Sequence, residues 1–96
     1  MADLIELKQI AEQAARRGLD PIPVAEVRIH PSVGMDGEDV LRVTVVIADD
    51  RFAEVDGEHF LNGIVNVRQD VRLTGELRET LVEYQTVTGP DDDGGR

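Results

Sequence analysis

Cysteine is missing from this chain, which excludes disulfides, thiol catalysis and any zinc site built on thiolates. Aromatic side chains are nearly missing as well: there is no tryptophan, and Phe52, Phe60 and Tyr84 make up the whole set. Core positions must then be filled by Val, Leu, Ile and Ala, each burying limited area. Serine occurs once, as Ser32 beside Pro31, without the flanking glycines of a nucleophile elbow. His30 lies two residues away, but that spacing along an extended segment does not make a hydrogen-bonded dyad. Basic residues are scarce, ten Lys and Arg against twenty Asp and Glu, giving a formal net charge of −10. A field of that sign repels phosphate backbones. Long hydrophobic runs are also lacking. The opening segment "MADLIELKQIAEQAARRG" carries Asp3, Glu6 and Glu12 among its apolar residues, a pattern foreign to a signal peptide or a membrane span. The expectation is a cytoplasmic protein with neither a membrane nor a nucleic acid as partner.

Ninety-six residues suffice for one small domain and not for two cores. Domains of this size commonly gain buried area by pairing with a second copy, so a homodimer stands beside the monomer as an expected state. Residues 1–88 read as the compact domain. The closing "GPDDDGGR" of residues 89–96 has no apolar side chain to bury and reads as a disordered acidic tail.

The first element reads as a helix. Asp3 is placed to cap it, with Glu6 three residues on, and Leu4, Leu7, Ile10, Ala11 and Ala14 share one face. Arg16 and Arg17 fall in the last turn, where the helix dipole favours cations, and Gly18 and Pro21 supply a stop. In "VAEVRIHP", Ala25, Val27 and Ile29 alternate with Glu26, Arg28 and His30, the signature of a strand that Pro31 ends. After a polar connection of about eight residues, "VLRVTVVIA" alternates Leu41, Val43, Val45 and Ile47 against Val40, Arg42, Thr44 and Val46. The two strands read as an antiparallel hairpin covered on one side only.

The stretch "EHFLNGIVNVRQDVRL" is ambiguous. From Ile64 it alternates like a strand, and "DG" at 56–57 and "NG" at 62–63 would serve as hairpin turns. Yet Phe60, Ile64, Val67 and Val71 also form one helical stripe. Helix is favoured because Asp56 can cap it, Glu58 sits in its first turn, Arg68 and Arg72 lie near its end, and "TG" at 74–75 stops it. Gly63 and the β-branched valines argue against it. The run "TLVEYQTVT" of residues 80–88 reads as a strand. The expected class is α+β: α-β-β-α-β, a three-stranded antiparallel or mixed sheet with two helices on one face.

The segments "VRIHPSV" and "GEDVLRVTVVI", with the "DG" ahead of the second helix, resemble a family of short, acidic bacterial proteins. The likeness covers residues 27–57 and implies a compact bacterial domain, with no activity to carry over.

Chemistry is thin. "DGED" at 36–39, "DD" at 49–50 and "DDDGG" at 91–95 lack the spaced ligands of a calcium loop. Neither His30 nor His59 has a second ligand at metal-binding spacing. No metal or cofactor is expected. Strand period places Glu26, Arg28 and His30 on one face, and with Arg42 and Thr44 next door they form an open polar surface. Arg68 and Arg72 share a helical edge with Leu61 and Val65, a mixture suited to an acidic partner or a second copy. The function expected is a non-enzymatic interaction module, in its most concrete form an antitoxin-like or immunity-like inhibitor of a basic protein. Asp36, Glu38, Asp39, Asp49 and Asp50 would steer the partner. The alternative is an anionic-ligand binder, or an enzyme, using Arg28, His30 and Arg42.

Overall fold

Asp3 does cap the first helix: its carboxylate accepts the Glu6 amide at 2.9 Å, opening α1 (Leu4–Leu19). The computed structural model describes residues 3–88, so the acidic tail expected at 89–96 lies outside the described residues. After α1 come β1 (Glu26–Val33), β2 (Asp39–Ile47), a short 3-10 helix (Asp49–Glu54), α2 (Gly57–Leu73) and β3 (Glu79–Thr86). The ambiguous stretch is helical. Asp56 accepts the His59 amide at 2.9 Å and the His59 ring at 2.8 Å, fastening the first turn.

The sheet runs β1-β2-β3, antiparallel between the first pair and parallel between the second. It is therefore mixed, with both helices on one face. A parallel β2–β3 pair requires a crossover, and α2 is that crossover. α1 packs on β1, α2 on β3, and the two helices pack extensively on each other. No helix among the described residues is long and apolar enough to cross a membrane.

The core is aliphatic, as the shortage of aromatics requires. Leu7, Ala11, Ala14 and Leu19 of α1 meet Val67 and Val71 of α2 above Val27, Leu41, Val43, Val45 and Ile47 of the sheet. Full burial of each larger side chain contributes roughly 1.5–3 kcal/mol. The α1 stripe is rotated from the expected one: Ala15, Gly18 and Leu19 are buried, whereas Leu4 is exposed and Ile10 half-buried. Central position explains another departure. Val40, Thr44 and Val46 point away from the helices yet are buried, because β1 and β3 flank them with side chains. β2 is thus shielded by its neighbours even on the face that no helix covers, which accounts for its nearly continuous apolar run.

Three sequence signals carry a different meaning from the one expected. Gly18 does not stop α1, which continues through Leu19 to a cap at Asp20. A Cβ at Gly18 would lie 2.8 Å from the Gly63 Cα, so the helices cross backbone to backbone at this pair of glycines. Gly63, which weakens the local case for a helix, is explained by packing of another kind: a Cβ there would run into the Tyr84 hydroxyl. Pro31 does not end β1 either. The strand continues to Val33 in register with Asp39, because β1 is an edge strand and Pro31 can turn its donorless nitrogen outward. The connection to β2 shrinks to residues 34–38, closed by the Gly34 amide to the Glu38 carbonyl at 2.8 Å and by Gly37 at a φ of 86°.

Candidate functional site

The open sheet face is assembled largely as its alternation requires. The register sets Arg28 opposite Thr44 and His30 opposite Arg42, and β3 adds Glu83 beside Thr44 and Leu81 beside Arg42. Arg28 is engaged by Glu26 on its own strand at 3.2 Å, and the Thr44 hydroxyl donates to the Glu83 carboxylate at 3.1 Å. Arg42 differs from both. Its Nε is buried and has no hydrogen-bond partner, a condition that costs about 1–3 kcal/mol. His30 is exposed next to it. The face holds one under-satisfied guanidinium with an exposed imidazole alongside, and no nucleophile. The second histidine is remote, its ring spent on the α2 cap.

The expected steering acids are not brought together. Asp36, Glu38 and Asp39 lie at the β1–β2 turn, Asp49 and Asp50 beyond the far end of β2, roughly 26 Å away at the rise of a strand. Asp49 is also occupied. It accepts the Thr88 hydroxyl at 2.6 Å and the Thr88 amide at 3.2 Å, and these bonds hold its carboxyl below the ordinary value of 3.8. Glu54 is likewise held down by Arg51 at 2.7 Å, and Asp56 by the His59 amide and ring. The acids at this end therefore fasten the 3-10 helix and the start of α2. Asp50 is exposed there.

At the hairpin end the acids are more loosely held, Asp39 acting only through its charge on Arg78. Asp36, Glu38 and Asp39 are exposed, and Glu79 follows on β3 next to Val40. Among the described residues, none of the four makes an ion pair or side-chain hydrogen bond. Apolar side chains stand among them: Val33 and Met35 in the hairpin, Leu73 at the end of α2, and Leu77 just before β3, with Met35 and Leu77 essentially fully exposed. A shallow hollow of about 290 Å³ runs between Asp39, Gly75, Leu77 and Arg78. Its floor is rigid. The Glu76 carboxylate takes the Arg78 guanidinium at 2.7 Å and the Arg78 amide at 3.0 Å, and these bonds depress its pKa. The sequence reading recognised the acids of this end but not its exposed apolar residues. A lone methionine in "VGMDGED" was the available signal.

Arg68 and Arg72 lie as expected on the outer face of α2 with Leu61 and Val65, lining another shallow hollow of about 290 Å³ with Val65 and Gln69. Among the described residues neither arginine forms an ion pair, although acids outnumber bases two to one in the sequence. Among the described residues no group of three or more His, Asp or Glu is arranged to hold a metal ion. The chain matches no protein-family model, no curated protein and no solved structure.

Proposed function

We propose that the protein is an interaction module whose hairpin end docks on a basic, apolar-centred surface of another protein, acting as an antitoxin-like or immunity-like inhibitor. The observation that carries this reading is that the topology sets exposed Val33, Met35, Leu73 and Leu77 and four exposed carboxylates at one end of the sheet. Exposed apolar side chains give a contact area whose desolvation favours binding, and unpaired acids around them select a basic rim and speed encounter. Asp49 and Asp50, at the opposite end, contribute to the long-range field only.

The test is affinity capture from a lysate of the cells that encode the protein, using the wild type and an Asp36→Asn, Glu38→Gln, Asp39→Asn variant at two salt concentrations. A basic protein recovered in stoichiometric amount by the wild type, reduced by salt and lost with the variant, supports the reading. Equal recovery by the variant, or none by the wild type, ends it.

A second reading rests on the unpartnered Nε of Arg42. A carboxylate or phosphate ligand on the open sheet face would draw the Arg42 guanidinium into charge-assisted hydrogen bonds, with His30 and Arg28 beside it. A thermal-shift screen of anionic metabolites tests it. A rise in melting temperature that disappears in both Arg42→Ala and His30→Ala supports this site, and a rise that survives them places the ligand elsewhere.

A further inference from the structure

The outer face of α2 has a pattern of its own, separate from the hairpin end. Glu58, Leu61, Val65, Arg68 and Arg72 follow one another at spacings of three and four residues, the a and d positions of a coiled-coil seam. All five are exposed, Leu61 at 60% and Val65 at 55%. The seam lies away from α1, whose contact with α2 uses the Gly18–Gly63 crossing and the Arg17–Asp70 ion pair. Its order is acid, apolar, apolar, base, base. Such an order is self-complementary when reversed. Laid antiparallel on a second α2, Leu61 falls opposite Val65 and Glu58 opposite Arg68, each contact occurring twice about the two-fold axis. In a parallel arrangement Glu58 would face Glu58 and Arg68 face Arg68.

We propose that the α2 outer face binds a second copy of this chain, giving an antiparallel α2–α2 homodimer. Charge complementarity selects this occupant: the seam carries both the acid and the unpaired bases that its own reversed copy requires. α2 packs on β3, which among the described residues is one of the two edges of the sheet. The isologous contact leaves the hairpin ends outside the interface.

Sedimentation velocity with the full chain tests this, across about 5–500 µM because a short seam makes a small interface. The wild type is expected to shift from monomer to dimer over that range. Val65→Glu should remain monomeric throughout, with circular dichroism confirming that it is folded. Glu58→Arg and Arg68→Glu alone should each weaken the dimer by at least tenfold, and the double variant should restore it, since it reverses every cross-pair without altering the apolar contacts. A wild type that stays monomeric overturns the proposal. So does a dimer that survives Val65→Glu, or a double variant no better than the singles.

Discussion

Gly63 is the residue on which most of the packing turns. The missing Cβ of Gly18 lets its backbone approach from α1, and the missing Cβ of Gly63 itself leaves room for the Tyr84 hydroxyl from β3, which donates to the Phe60 carbonyl at 3.1 Å while the Tyr84 and Phe60 rings lie 4.6 Å apart. Helix propensity alone predicts that Gly63→Ala stabilises α2 by about 1 kcal/mol. Packing predicts the reverse, and it wins: the added methyl meets the phenol, and overpacking of this kind costs about 1–3 kcal/mol. Gly18→Ala is expected to cost more, because its methyl meets backbone rather than a side-chain tip. Urea unfolding checks both. Tyr84→Phe removes the obstructing oxygen, so the Gly63→Ala penalty should shrink in the double variant, a coupling that a mutant cycle measures. Burial pushes the Tyr84 phenol from 10.0 up to about 12. The unfolded chain then loses this proton first as pH rises, so the stability contributed by Tyr84 is complete below pH 10.0 and is lost between there and about 12. Tyr84→Phe should flatten that alkaline decline in thermal melts.

Elements were legible wherever local chemistry and tertiary packing agree. The caps at Asp3 and Asp56, the alternation of Leu41 to Ile47 and the stop at Gly75, whose φ is 94°, each follow from a residue's own conformational preference. Signals that depend on neighbours were misread. Nothing local distinguishes a glycine that ends a helix from one that admits another helix, so Gly18 read as a stop. Pro31 ends a central strand but is tolerated on an edge, and edge position is a property of the sheet. The polar face of β1 and β2 was legible because its period is two. The hairpin end was not, because it joins a turn, a helix terminus and a strand start from distant parts of the chain. At this scale the α2 cap offers a test. Asp56→Ala should lower stability at neutral pH by removing the cap. The Asp56 carboxyl is depressed chiefly by the His59 amide, so its contribution is present above pH 3.8 and fades as pH falls through the lower folded value. The wild type and Asp56→Ala should therefore converge in stability towards pH 2, as followed by thermal melts.

The whole molecule is held against its own field. Five arginines are spent on acids of the same chain, those at 16, 17, 28, 51 and 78, and a formal charge of −10 remains. Self-repulsion of that kind is relieved by screening, whose length falls from about 10 Å at 0.1 M salt to about 3 Å at 1 M. The melting temperature of the monomeric Val65→Glu variant should therefore rise with sodium chloride, by about 4–8 °C for each 1 kcal/mol gained. A melting temperature that falls with salt would mean that the surface ion pairs outweigh the net repulsion. Pro31 has a further consequence at this scale. It places a residue without an amide hydrogen in the second half of β1, which makes that edge a poorer template for a new strand than β3. A particle with two sticky edges can add copies indefinitely and form fibrils. Weakening the β1 edge therefore works against open-ended edge-to-edge addition of copies.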